Sequence, residues 1–176
     1  MRPRCSIYIA TSLDGFIARP DGSIDWLSIV QTPNEDYGYG AFHATIDTLV
    51  VGRKTYETAL GFPEWPYAGK RCVVMTGNVQ RESKHGESFH DGDPAALVDS
   101  LGREGAERIY IDGGSVIRQF LAAGLVSDLT LSIVPVLLGE GVSLFGKTGP
   151  DIRLKLLATR SFASGLCQLE YASPHA

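Results

Sequence analysis

The chain has 176 residues, 44% hydrophobic and 20% charged, the proportions of one globular domain long enough to bury a core. A formal net charge of −4, with lysines and arginines scattered along the chain, argues against general nucleic-acid binding. No apolar run approaches a membrane span, and Asp14 interrupts the opening apolar stretch before it could act as a signal peptide, so a cytoplasmic protein is expected.

Cys5 to Ala10 reads as a buried strand, followed by Thr11-Ser12-Leu13-Asp14-Gly15 and a second short apolar piece, Phe16-Ile17-Ala18. Arg19 to Ser23 is a strong turn, and Asp25-Trp26-Leu27 leads into a polar stretch. Pro33-Asn34-Glu35-Asp36 is expected to open a helix through Ala41 to Thr45, with acids in its first turn as the helix dipole prefers. Thr48 to Val51 is a strand that ends at Gly52, where Arg53-Lys54-Thr55 opens a helix. Cations are disfavoured at a helix N-terminus unless an anion is close, so this local conflict points to function.

Arg71 to Met75 is the next strand and runs into Thr76-Gly77. A short strand is expected near Ser88-Phe89, and Asp93-Pro94 starts a helix with Ala96, Leu97 and Leu101 on one side. Ile109 to Ile111 forms a strand, Gly113-Gly114 a sharp turn, and Ser115 the expected N-cap of a helix with Val116, Ile117, Phe120 and Leu121 on its apolar face. Such a junction aims free backbone N–H groups at one spot and can bind phosphate, although a glycine pair there can equally be a tight connection. Ser127 to Val136 is a long β-rich run, and Arg153 to Ala158 and Gly165 to Tyr171 read as two closing strands.

Strands separated by helices, then strands alone, imply an α/β fold of three layers. Its central sheet is mostly parallel with antiparallel C-terminal edge strands, in one domain spanning 1–176. Three candidate phosphate turns, at Gly52-Arg53, Thr76-Gly77 and Gly113-Gly114, then fall at strand ends and can converge on one elongated ligand such as a dinucleotide. Cys5, Cys72 and Cys167 are odd in number and far apart, as buried thiols would be, and neither they nor His43, His85, His90 and His175 show zinc spacing.

The segments SIYIATSLDGFIA (6–18), DGSIDWL (21–27), LVVGRKTYET (49–58), RCVVMTG (71–77), RIYIDGGSVIRQFL (108–121) and LTLSIVPVLLGEG (129–141) together resemble the dihydrofolate-reductase-like superfamily. The likeness is closer to the reductase domain of the bifunctional riboflavin-biosynthesis deaminase-reductase and its stand-alone relatives. It implies NADPH as hydride donor. Ala10 and Ile17 would lie beside the nicotinamide, and Gly52, Arg53, Lys54 and Thr55 at the pyrophosphate and towards the 2′-phosphate. Thr76 and Gly77 would flank the 2′-phosphate, with Gly113, Gly114, Ser115, Val116 and Ile117 at the pyrophosphate. The resemblance further implies a cis Gly113–Gly114 peptide and a homodimer.

On the substrate side, the acid of dihydrofolate reductases would fall near Val30 or Gln31, and the acid pair of the riboflavin enzymes is absent from TYETALGFPEW. Asp14, Asp25 and Trp26 are the catalytic candidates, although Asp14 can serve its own turn and Asp25 can cap a helix. Trp26, Tyr56, Phe62 and Trp65 would wall a pocket for a flat heterocycle or pack a dimer interface, for which Leu131 to Leu138 is also apolar enough. The expected activity is hydride transfer to a small heterocycle, as in 5-amino-6-(5-phosphoribosylamino)uracil reduction. The alternatives are a dihydrofolate or pterin reductase and a nucleotide-binding protein without turnover.

Overall fold

The computed structural model describes residues 2–147 and 149–174; His175 lies outside them. An eight-stranded sheet forms its centre, built in chain order from β1 (Arg4–Ser12), β3 (Thr48–Gly52), β4 (Arg71–Met75), β5 (Ser88–His90), β6 (Arg108–Asp112), β7 (Val126–Val134), β9 (Lys155–Ser161) and β10 (Cys167–Ala172). Its spatial order is β5-β4-β3-β6-β1-β7-β10-β9, and a small pair, β2 (Phe16–Ala18) with β8 (Val142–Ser143), stands apart. Pairings from β5 through β7 are parallel, while β10 runs antiparallel to both β7 and β9. The mostly parallel sheet with an antiparallel C-terminal edge is therefore present.

Alternation along β3 shows why its apolar run is unbroken. Val50 joins Ile7, Val73, Ile109 and Ile111 on one face, under α3 (Pro94–Arg103) and α4 (Gly114–Ala122). Leu49 and Val51 join Cys72, Val74 and Tyr110 on the other, against α2 (Arg53–Ala59), with α1 (Tyr39–Ala44) laid over them through Phe42. A strand covered on both faces needs apolar residues at every position. Cys5 and Cys72 are buried thiols, each pushed up to about 12 by burial, and Cys167 is half-buried and free.

Several local expectations shift. The helix expected from Pro33 begins only at Tyr39, because Asn34, Tyr37 and Gly38 take left-handed backbone angles that break it. Asp36 accepts from the N–H groups of Gly38 and Gly40 at 2.8 and 2.9 Å, tying this turn to the start of α1. Ser115 is not an N-cap: α4 starts one residue earlier, and Gly113 holds that place at φ +95°. On α3 the buried residues are Leu97, Val98 and Leu101, while Ala96 is exposed; Asp93 does cap it, accepting from Ala96 N at 3.1 Å. β7 stops before Pro135, which has no N–H to continue a ladder. No peptide among the described residues is cis, so Gly113–Gly114 is trans.

Candidate functional site

The carboxyl ends of β3, β4 and β6 open side by side onto a cleft of about 770 Å³. Ala10, Ile17, Gly52, Arg53, Lys54, Thr55, Thr76, Gly77, Gly113, Gly114, Ser115 and Val116 all line it. Ile117 does not: it is fully buried in the core behind α4. The three glycine turns thus meet along one groove.

Two of those turns touch. A Cβ built on Gly113 would come 2.6 Å from Thr55 Oγ1 and 3.3 Å from the backbone N of Gly52, so this position must stay bare. At Gly114 a Cβ would meet Ile17 Cδ1 at 2.8 Å, which sets β2 over the first turn of α4. Gly113 offers α4 no side-chain cap, and the first N–H groups of a helix have no partner within it. The result is a bare backbone cradle with the positive end of a helix dipole. Beside it stand Arg53, paired to Glu57 at 3.0 Å, and Lys54. Arg118, one turn into α4, adds a third cation, its Nη1 donating to the Ser143 carbonyl at 2.5 Å.

Asp112, the last residue of β6, also lines the cleft, and sequence reasoning passed over it. Burial pushes its carboxyl up to about 6, only partly offset by the Gly113 N–H at 2.7 Å. Its position directly before the glycine pair was the available signal. The tyrosines Tyr8, Tyr67 and Tyr110, which the sequence did not single out, line the same cleft. The Tyr110 hydroxyl donates to the Tyr8 carbonyl at 2.9 Å, and the Tyr8 hydroxyl donates to the Tyr37 carbonyl at 2.5 Å. Tyr8, Ile9, Ala10 and Leu27 are shared with a second chamber of about 390 Å³.

The three catalytic candidates stand elsewhere. Asp14 accepts from Ser12 Oγ at 2.6 Å and from the N–H groups of Leu138 and Gly139 at 3.1 and 2.7 Å, bonds that hold its carboxyl low and fix a surface loop. Asp25 opens a 3-10 helix, Asp25–Val30, whose cap position is Ile24, and it pairs with Arg19 at 2.6 Å. Trp26 is 2% exposed and packs with Val30, Val134 and Leu166, because the 3-10 helix turns it inward and Leu27 towards the cleft. None of the three lines either chamber.

Of the four aromatics expected to wall a pocket, only Phe62 lines the cleft. Tyr56 is buried and donates to Glu87 at 2.5 Å, while Trp65 stacks on His85 with ring centroids 4.5 Å apart. Burial would raise Glu87, but the Tyr56 hydroxyl and the N–H groups of Lys84 and His85 hold it at about 2. Among the described residues no group of His, Cys, Asp or Glu is placed to hold a metal ion, and no helix is long and apolar enough to cross a membrane.

The family model described as the RibD C-terminal domain matches residues 4–168. YwjB of Bacillus subtilis (strain 168) is 35% identical over 173 residues, spanning 97% of this chain and 98% of that protein. A protein from Shewanella sp. PV-4, provisionally assigned to riboflavin biosynthesis, has a solved structure that superposes with a TM-score of 0.90 at 33% identity, over 97% of this chain and 98% of that one. Dihydrofolate reductase from Enterococcus faecalis, solved with NADP(H), gives 0.68 at 15% identity over 99% and 98% of the two chains, a likeness of fold.

Proposed function

The chain belongs to the RibD C-terminal domain family, and on that premise we propose that it is a cytoplasmic, homodimeric, NADPH-dependent reductase that passes hydride to a small heterocyclic substrate. The activity is of the same kind as that of the riboflavin-pathway pyrimidine reductases. The observation that carries this reading is the bare Gly113–Gly114 cradle at the start of α4, packed against Thr55 and flanked by Arg53 and Lys54 in one cleft. The residues present fit the cofactor: a Cβ would fill the cradle, and three cations, Arg53, Lys54 and Arg118, line the same groove.

Gly113, Gly114 and Ser115 would hold the pyrophosphate on backbone N–H groups, and Arg53 and Lys54 the 2′-phosphate end, with Thr76 and Gly77 beside it. Ala10 and Ile17 would bound the nicotinamide. Bound NADPH supplies a hydride, which reduces a C=N or C=O carbon of the substrate while the adjacent heteroatom takes up one proton. Asp112 would hold that proton: its carboxyl lines the cleft and its raised pKa keeps a protonated fraction near neutrality.

Calorimetric titration of NADPH and NADH into wild type and Arg53→Ala tests the reading. Wild type should prefer NADPH, and losing a charge-assisted contact to the phosphate should cost the variant about tenfold or more in NADPH affinity, with little change for NADH. Folded protein that binds neither nucleotide would overturn it.

A further inference from the structure

Charge divides unevenly along this groove. The cradle cleft is lined by three cations, Arg53, Lys54 and Arg118, against two carboxylates, Asp91 and Asp112. The second chamber has Glu35 and Asp36 on its rim and no lysine or arginine in its lining. Arg160, whose charge reaches Tyr8, is already paired with Glu170 at 3.1 Å.

Both rim carboxylates are fixed in place. Glu35 accepts from Tyr37 N at 2.7 Å, and Asp36 from the N–H groups of Gly38 and Gly40 at 2.8 and 2.9 Å. Those backbone bonds favour the ionised form of Asp36, so it stays anionic at neutral pH.

The walls are flat, and the side-chain donors they bring, the Gln31 amide and the Tyr39 hydroxyl foremost, are neutral. Tyr8, Tyr37 and Tyr39 line the chamber, with Val30 and Leu166 behind them. The Tyr8 hydroxyl spends its proton on the Tyr37 carbonyl, and the Tyr37 hydroxyl spends its own on the Val30 carbonyl. Gln168, buried beneath, shares the two N–H groups of its amide among Tyr8 Oη, Tyr37 O and Ser132 Oγ at 2.9, 3.0 and 3.1 Å, so that nitrogen has no donor to spare. A phosphate needs cations or several converging N–H donors, and a carboxylate rim repels it. Aromatic faces beside carboxylates suit a flat ring, all the more one bearing amino groups.

We infer that the second chamber takes a flat heterocycle without phosphate, neutral or cationic at neutral pH, and turns away a phosphoribosylated pyrimidine. This rests on the reductase reading in taking the chamber next to the cofactor cleft as the substrate site. The chain then acts on a base or a dephosphorylated nucleoside-like compound, so a phosphate-removing reaction or a phosphate-free source must supply it.

Ligand binding can be followed by calorimetry on the full chain, with and without saturating NADPH. The probes are 5-amino-6-(5-phosphoribosylamino)uracil, its dephosphorylated form, and the single rings 2,4-diaminopyrimidine, uracil and orotate. The dephosphorylated compound should bind about tenfold or more tightly than its phosphate, and the anionic orotate should be the weakest ring. Glu35→Gln keeps the acceptor for Tyr37 N and should narrow both preferences, and Glu35→Lys should narrow them further. Equal or tighter binding of the phosphorylated compound by wild type overturns the inference, as do preferences unmoved in both variants, or no ring bound by protein that binds NADPH. Loss of NADPH binding alone would sink the reductase reading instead, and the rings measured without cofactor would still judge the chamber's charge preference.

Discussion

Taking a carboxylate out of water at the end of a buried strand disfavours its charged form, and Asp112 has one N–H, that of Gly113 at 2.7 Å, to offset the loss. Its pKa rises from an ordinary 3.8 to about 6, so the folded chain holds the proton more tightly than the unfolded one. Ionisation therefore costs stability as pH climbs from 3.8, and the full cost is reached above about 6. Two units correspond to about 3 kcal/mol, and because the side chain is only half-buried on the open cleft, about 1–2 kcal/mol is expected. Asp112→Asn should gain that much in urea unfolding at pH 7.5 and almost nothing at pH 4, while its turnover falls. Wild-type turnover should decline with rising pH above about 6 as the proton is lost, and the variant should lack that limb. Equal stability at pH 7.5 would mean the carboxylate is fully solvated. The residue itself was in plain view before the glycine pair. Its proton affinity was not, since that depends on how deeply the end of β6 sits among Tyr110 of the same strand and Tyr39 and Tyr67, which are distant in the chain.

At the scale of elements, the strand–glycine–helix units were legible because each signal is local: an apolar run, a glycine that leaves no side chain in the way, then an apolar face at helical spacing. β6, Gly113 and α4 follow that order, as do β3, Gly52 and α2. Failures came where a distant partner decides. The 33–45 stretch has good helix-start chemistry, but Tyr37 sits at φ 58° with its ring against Phe162 and its hydroxyl near Ser164, so tertiary contacts hold the turn open. Trp26 likewise goes to the core because Val134 and Leu166 are there to cover it. Contact between the two glycine turns gives a sharp test. Gly113→Ala combines a φ of +95° with a Cβ 2.6 Å from Thr55 Oγ1, so it should cost about 2–3 kcal/mol in stability and weaken NADPH binding at least tenfold. Gly77→Ala, on the same cleft with nothing within 4 Å of its Cβ and no positive φ, should change stability by less than about 0.5 kcal/mol. A tolerated Gly113→Ala in chemical denaturation would mean that the two turns do not press on each other.

For the whole molecule, the sheet order decides which apolar surface is left for a second copy. Leu131 to Leu138 looked suitable as a sequence, but β7 lies inside the sheet between β1 and β10. Leu131 packs against the core, Val134 is fully buried, and Leu137 alone stands well out, at 68% exposure. No local pattern tells an interior strand from an edge strand, so this could not be read from the chain. The edges are β5 and β9, and on β9 Leu156 and Leu157 are exposed by 51% and 56%, with Leu154 beside them. Edge strands of lone monomers tend to carry charge or proline rather than adjacent leucines. The register shift opposite Glu170 and Tyr171 leaves Leu157 without a partner, which discourages edge-to-edge extension of the ladder. A contact made through the leucine surface itself then fits better than a continuous sheet. In sedimentation velocity at tens of micromolar, the wild-type chain should run as a dimer. Leu156→Lys with Leu157→Lys should run as a monomer that keeps its circular dichroism and its NADPH binding, because β9 lies at the far end of the sheet order from the β3 and β4 strand ends. A wild-type monomer would remove the homodimer, and a variant still dimeric would move the interface away from β9.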